Sequence, residues 1–146
     1  MPDGAAANHP TDAVVCEVIG RVSSELIDTA PAPRQPDEGA PPAVLEIDAH
    51  FAAGLAGLEA GARIVVLTWL NLARRDVVTV HPRGDETRPL NGVFTTRSPD
   101  RPNPIGLHDT VVTWVDGTRI GVSALEAIDG TPILDVKPAL EARGVR

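Results

Sequence analysis

Short apolar runs, separated by polar segments rich in proline and glycine, dominate the pattern of this 146-residue chain. Runs of this length that are rich in valine, isoleucine and leucine are typical of β-strands. The pattern predicts eight strands, at residues 14–22, 43–47, 63–70, 77–80, 93–96, 107–115, 118–125 and 133–136. The crossover helices that a parallel sheet needs are missing. We therefore expect a mainly β fold, a small closed or nearly closed antiparallel β-barrel with one or two short helices.

One helix and one tight turn are predicted within this strand pattern. Asp48 suits the N-cap of a helix that runs to about residue 58, because Phe51, Leu55 and Leu58 recur at the spacing of one helical face. The dipeptide Asp116-Gly117 stands between two β-rich runs. It predicts a two-residue hairpin turn at that point.

The most specific stretch is GVFTTRSPDRPNPIGL, residues 92–107. Its three prolines, Pro99, Pro102 and Pro104, fix their own φ and keep each preceding residue out of the helical region. We expect a stiff, extended loop that loses little conformational entropy when it binds a ligand. The loop displays three polar side chains, Arg97, Arg101 and Asn103.

This stretch closely resembles the signature of the TsaA-like (TrmO) family, which reads GVF, a small residue, TRSP, a variable residue and RPNPIG. Pro33-Arg34-Gln35 resembles the family's PRQ motif, and residues 129–138, DGTPILDVKP, resemble its DGTP-aliphatic-LD-aliphatic-KP block. The three blocks stand in the family's order and cover about residues 14–140. The resemblance implies a homodimeric β-barrel that uses S-adenosylmethionine to methylate N6-threonylcarbamoyladenosine beside the anticodon of certain tRNAs.

The resemblance also implies a set of site residues. Carried over by position, the family's cofactor-binding region is Pro33, Arg34, Gln35, Asn71, Arg97, Leu107, Glu126 and Asp129. Arginines suit a carboxylate, amides suit adenine or ribose, and carboxylates accept from hydroxyl or ammonium groups. Asn103 and Lys137 are the remaining polar candidates for catalysis. Asn71 departs from the family, which usually has a histidine there, and asparagine does not titrate near neutral pH.

Composition leaves the substrate open. The net charge of −7 argues against general affinity for nucleic acid, although six arginines against four acidic residues give residues 74–101 a net charge of +2. Only four aromatic side chains are available for stacking on bases. The chain also ends soon after the DGTP block, whereas longer tRNA-acting members have a further C-terminal domain. Two alternatives remain: an S-adenosylmethionine-dependent methyltransferase of a small molecule, and a nucleoside-binding barrel without turnover.

The domain organisation and location follow from the remaining features. We expect a disordered arm at residues 1–13, one domain at residues 14–140 and a tail at residues 141–146. No run of about 18 apolar residues predicts a membrane span, and the N-terminus lacks the features of a signal peptide. The single cysteine, Cys16, lies in an apolar run and is expected to be buried. The missing span, the missing signal-peptide features and the single cysteine together predict a cytoplasmic protein. The four histidines lack metal-ligand spacing, so we expect no metal.

Overall fold

A computed structural model of the chain describes residues 12–27, 39–81 and 84–140. The strands found there are β1 (Gly20–Ser24), β2 (Ala43–Ile47), β3 (Arg63–Trp69), β4 (Thr79–Val80), β5 (Asn91–Gly92), β6 (Ile105–Asp116), β7 (Arg119–Val122) and β8 (Pro132–Pro138). Two 3-10 helices span Ala49–Leu55 and Val93–Thr95. Six of the strands close into an antiparallel barrel in the order β1-β2-β7-β6-β3-β8, and β4 pairs only with β5. The predicted fold class is confirmed.

Alternate residues of the barrel strands point inward and form the core. On β6, Gly106, His108, Thr110 and Val112 are buried while their neighbours Ile105, Leu107, Asp109 and Thr113 are exposed. The largest side chains with less than 2% exposure are those of Leu45, Ile120, Leu125 and Ile133. Burying such a side chain contributes roughly 1.5–3 kcal/mol. The core therefore stabilises the barrel. Polar residues occupy the inward positions near the end of β3 and the start of β6.

The predicted helix is present as a short 3-10 helix. Asp48 is its N-cap, and the Asp48 carboxylate accepts a hydrogen bond of 3.1 Å from the backbone N–H of His50. Phe51 and Leu55 pack against the core. The predicted end near residue 58 is wrong, because the helix stops at Leu55 and Gly57 has a φ of +89°. A positive φ is incompatible with continuing the helix.

The hairpin between β6 and β7 is confirmed, but the prediction placed its turn one residue too early. Asp116 still pairs with Arg119, so the two turn residues are Gly117 and Thr118. Gly117 has a φ of +62°, which glycine adopts without steric cost. The asparagine or aspartate preference of such turns thus misled the assignment by one position.

The strands predicted at residues 77–80 and 118–125 are shorter in the structure, and two further predicted strands differ more. β1 begins at Gly20 because its ladder with β2 starts there, and residues 12–18 are exposed and outside any sheet. Cys16, expected to be buried, is therefore exposed. Residues 93–95 form a 3-10 turn because the hydroxyls of Thr95 and Thr96 donate to the carbonyls of Gly92 and Val93. Such local hydrogen bonds compete with a strand ladder.

None of the helices in the described ranges combines the length and the apolar character that crossing a membrane requires.

Candidate functional site

A cavity of about 540 Å³ lies at the end of the barrel where β3 finishes and β6 begins. Its wall comes from residues 70–74, 97–101, 105–108 and 126–128, together with Thr131. Small-molecule and cofactor sites typically measure about 300–1,000 Å³. The cavity is therefore large enough for a nucleoside-sized ligand, and four separate segments of the chain must meet to form it.

The proline-rich loop on one side of the cavity is shaped by Arg101. Its guanidinium donates hydrogen bonds to three backbone carbonyls of the same loop, those of Val93, Thr96 and Ser98. A guanidinium holds five N–H donors in a fixed plane, so one side chain can fix several carbonyls at once. Arg101 thus holds the loop in a curved shape that the prolines alone would not define.

The adjoining loop, residues 70–76, is tied to the proline-rich loop. Arg75 donates from Nε to the carbonyl of Pro102 at 2.8 Å and from Nη2 to the side-chain oxygen of Asn103 at 3.0 Å. The Arg75 guanidinium also lies over the Trp69 ring, 5.0 Å from its centroid. The backbone N–H of Arg74 donates to the Asp100 carboxylate at 2.9 Å. These contacts brace the cavity mouth from both sides.

Three polar side chains form a buried series at the base of the cavity. Thr68 Oγ1 lies 2.7 Å from Nε2 of His108, and Nδ1 of His108 lies 2.9 Å from Oε2 of Glu126. The side chains of His108 and Glu126 are only 4% and 6% exposed. Neither His108 Nδ1 nor Glu126 Oε1 has an aligned hydrogen-bond partner within the described residues. Buried polar atoms normally have partners. Nδ1 of His108 already faces the Glu126 carboxylate, so Oε1 of Glu126 is the atom that marks a place where a ligand can bind.

The charges around the cavity favour an anionic group on the ligand. Arg97 and Arg101 line the wall, and neither forms an ion pair with a carboxylate of the described residues. Arg74 also lines the wall, but its guanidinium binds Asp76 at 3.1 Å. That hydrogen bond raises the pKa of Arg74 and lowers the pKa of Asp76. The uncompensated positive charge of the wall therefore belongs to Arg97 and Arg101.

The structure brings some of the predicted cofactor-binding residues together. Four of them line the cavity: Asn71, Arg97, Leu107 and Glu126. Asp129 lies outside the wall, where its carboxylate accepts a hydrogen bond of 2.9 Å from the backbone N–H of Ser24. Pro33, Arg34 and Gln35 lie outside the described residues. The binding roles of all eight remain predictions.

The two candidate catalytic residues also lie outside the cavity wall. The side-chain oxygen of Asn103 accepts from Arg75. Lys137 is on β8, where its ammonium group forms an exposed ion pair with Asp135 at 3.1 Å. Within the described ranges, no three histidine, cysteine, aspartate or glutamate side chains are grouped to hold a metal ion.

Sequence reasoning missed Thr68 and His108. The signal was present in the alternation of β6, because the run IGLHDTVV places His108 on the same face as the core residue Val112. A histidine facing the core of a barrel strand needs polar partners. The partner in β3, Thr68, was not apparent because the pairing of β3 with β6 joins residues 40 positions apart.

A six-stranded barrel with a braced, arginine-lined cavity at one end defines a protein that binds a small ligand. The model of one protein family, the tRNA-methyltransferase O N-terminal domain, matches residues 21–143. The chain belongs to this family.

Named relatives and solved structures agree with this assignment. VirR of Rhizobium radiobacter, a probable S-adenosyl-L-methionine-binding protein, is 39% identical over 120 residues, which are 82% of this chain and 67% of VirR. An S-adenosyl-L-methionine-binding protein of Archaeoglobus fulgidus is 39% identical over 124 residues, which are 85% of this chain and 88% of that protein. TrmO from Pseudomonas aeruginosa has a crystal structure that matches with a TM-score of 0.70 at 27% identity. That match covers 88% of this chain but only 56% of the TrmO chain.

Proposed function

We propose that this chain binds S-adenosylmethionine in the cavity and transfers its methyl group to N6-threonylcarbamoyladenosine next to the tRNA anticodon. The observation that carries the proposal is the cavity wall, where a nearly buried carboxylate with one free oxygen stands with two uncompensated arginines. Relatives named as S-adenosyl-L-methionine-binding proteins support the cofactor. The chain spans just over half the length of the TrmO structure it matches, so the acceptor is part of the proposal.

The side chains of the wall fit the polar groups of S-adenosylmethionine. The free Oε1 of Glu126 can accept a hydrogen bond from a ribose hydroxyl or from the ammonium group. Arg97 can bind the cofactor's carboxylate with two parallel hydrogen bonds, and Asn71 can read an edge of the adenine. When bound, the cofactor supplies an electrophilic methyl group on a positively charged sulfur. Together these residues would hold the cofactor in the cavity and so orient its methyl group.

The acceptor also fits the charges of the wall. Its threonyl carboxylate needs a cation, and Arg101 donates to the loop carbonyls from Nε and Nη2 only. Nη1 of Arg101 therefore remains for an anionic substituent. The N6 atom of the acceptor carries an acyl group, so its N–H is more acidic than that of an amine. Lys137 is a less suitable cation because it pairs with Asp135 away from the wall.

A methyltransferase of a small molecule is the second candidate. The net charge of −7 gives the chain weak electrostatic attraction for tRNA, so recognition would depend on the modified base itself. Asn71, which lies in the cavity wall, replaces the family's usual histidine and changes the group that faces the ligand. Both candidates use the same cofactor, and they differ only in the acceptor.

The decisive experiment incubates the protein and S-adenosylmethionine with tRNA from a strain that lacks its own enzyme. Mass analysis of the nucleosides should show the threonylcarbamoyl nucleoside heavier by one methyl group. Calorimetry with S-adenosylmethionine and S-adenosylhomocysteine accompanies it. Cofactor binding with an unchanged nucleoside would replace the tRNA acceptor with a small molecule, and absence of binding at millimolar concentration would refute the cofactor assignment.

A further inference from the structure

Glu126 is held in place by the chain on either side of it. Its neighbours Leu125 and Ala127 are 0% and 2% exposed and belong to the core cluster. The backbone N–H of Leu125 also donates to the carbonyl of Pro41 at 2.9 Å. Glu126 itself lines the cavity wall between these two buried neighbours. The backbone therefore fixes where the Glu126 side chain starts, but not how its carboxylate is turned.

The orientation of the carboxylate depends on His108. Oε2 of Glu126 lies 2.9 Å from His108 Nδ1, while Oε1 has no partner among the described residues. An ionised carboxylate cannot donate a hydrogen bond, so a neutral His108 must carry its hydrogen on Nδ1 to favour this contact. Nε2 then lacks a hydrogen and accepts one from the Thr68 hydroxyl, 2.7 Å away. The Thr68 hydroxyl can act as this donor, so it supports the form of His108 that attracts Glu126.

Gly106 explains how Thr68 and His108 reach each other. Thr68 stands directly opposite Gly106 in the pairing of β3 with β6, and His108 is the next inward residue of β6. A Cβ atom on residue 106 would overlap both Thr68 Oγ1 and His108 Nε2. Glycine therefore leaves the space in which the hydroxyl meets the imidazole. The glycine of the proline-rich motif is needed for this contact.

The order threonine, histidine, glutamate is also that of a nucleophile activated by a base, but the structure argues against that role. Thr68 is 0% exposed and is not part of the cavity wall. A substrate in the cavity has no access to its hydroxyl. His108 and Glu126 do line the cavity, and the free oxygen belongs to Glu126. The series therefore acts on the orientation of Glu126.

The geometry points to His108 as a positioning residue that, set by Thr68, turns the Glu126 carboxylate so that Oε1 accepts a hydrogen bond from a hydroxyl or ammonium donor of the bound cofactor. This inference rests on the proposed function and adds to it two residues that do not themselves supply the binding oxygen. Pre-orienting the carboxylate increases affinity, because the side chain does not have to be ordered when the ligand binds.

The first test replaces Thr68 and measures binding of S-adenosylmethionine by calorimetry. Thr68→Val keeps the shape but removes the hydroxyl, and we expect its Kd to rise about tenfold, whereas Thr68→Ser should stay near the wild-type Kd. Val22→Ala is the matched control, because it removes buried side-chain volume from β1 and leaves the polar series intact. An unchanged Kd in Thr68→Val, or equal losses in Thr68→Val and Val22→Ala, would overturn the inference.

A second measurement does not need the cofactor. In the free wild-type protein, 15N chemical shifts should show His108 with a protonated Nδ1 and an unprotonated Nε2. Glu126→Gln should move the Nδ1 signal and Thr68→Val the Nε2 signal, and this test holds for any variant that folds. Unmoved signals would overturn the inference even where binding is impaired. If the wild-type protein binds the cofactor and Thr68→Val binds it equally well, only the role of His108 is refuted. If the wild-type protein binds no cofactor, the proposed function is refuted and this inference with it.

Discussion

Arg97 and Arg101 look alike in the sequence but have different roles in the structure. Arg101 donates three hydrogen bonds to carbonyls of its own loop. Arg97 is exposed, lines the cavity, and makes no hydrogen bond to another described residue. An arginine that is not used to hold the protein together is available to hold a ligand. The different roles of the two arginines cannot be predicted from the motif, because both are arginines of the same proline-rich stretch.

Replacing Arg97 therefore tests the cofactor site at a single residue. We predict that Arg97→Ala weakens binding of S-adenosylmethionine by about 1.5–3 kcal/mol, a ten- to hundredfold rise in Kd, because a charge-assisted hydrogen bond to the carboxylate is lost. Arg88→Ala is the control, since Arg88 pairs with Asp85 at 3.7 Å and lies outside the cavity wall. Calorimetry on both variants measures the difference. Equal affinities would mean that Arg97 does not face the cofactor.

At the residue scale, the sequence identified the residues that the family resemblance points to and missed those that it does not. Arg97, Leu107 and Glu126 came from positions within or close to the motif blocks, and Asn71 came from a separate position carried over from the family; all four line the cavity. His108 directly follows residues 92–107 but was not among the positions carried over from the family, and its importance appears only once β6 is paired with β3. Which polar atoms are buried without partners is a property of the packed molecule, so no sequence pattern contains it.

At the scale of single elements, local chemistry decided where the predictions succeeded. Of the strands that apolar runs predicted, β2 has the predicted ends, and β3 and β6 are present with ends shifted by one or two residues. The strand predicted at residues 93–96 is wrong because threonine hydroxyls donate hydrogen bonds to nearby carbonyls, which favours a turn over a strand ladder. The prediction that β1 begins at residue 14 is wrong, because a strand needs a paired neighbour. The ladder of β1 with β2 ends at the pair Gly20–Ile47.

Gly20 marks the close approach of β1 to β2 and gives a test of the barrel. A Cβ atom there would overlap the backbone carbonyl of Glu46, which cannot move without separating the two strands. We predict that Gly20→Ala lowers the free energy of unfolding by about 1–3 kcal/mol, as measured in urea. Gly92→Ala should be nearly neutral, since Gly92 has a φ of −65° and no atom lies within 4 Å of its would-be Cβ. Equal stabilities of the two variants would show that the β1–β2 spacing is not constrained.

At the scale of the whole molecule, the barrel class was predictable but its strand order was not. Strand patterns and a lack of crossover helices already favoured an antiparallel barrel. The pairings that close it, β2 with β7 and β1 with β8, join distant parts of the chain. The cavity depends on that closure, because its four wall segments come from residues 70 to 131. A site assembled by topology is therefore accessible to sequence only through resemblance to a known family.

Several large apolar side chains of the described residues are exposed on the surface of the molecule. Val14 and Val15 are 90% and 92% exposed in the segment that precedes β1, and Phe94 is 84% exposed beside the cavity loop. Contiguous exposed apolar surface is typical of faces that are covered in an assembly. A homodimer with an isologous interface would cover the same residues on both chains.

We predict that the protein is a homodimer whose mass in light scattering is twice the 15.3 kDa of one chain. Val15→Asp places a charge in the exposed apolar segment and should shift the protein to monomer, because burying an unpaired carboxylate opposes association. Ala52→Asp is the control, since Ala52 is exposed on the 3-10 helix and should leave the dimer intact. Circular dichroism checks that both variants keep the strand content of the wild-type protein. A wild-type monomer across a wide concentration range would contradict the prediction, and a Val15→Asp dimer of unchanged stability would place the interface elsewhere on the surface.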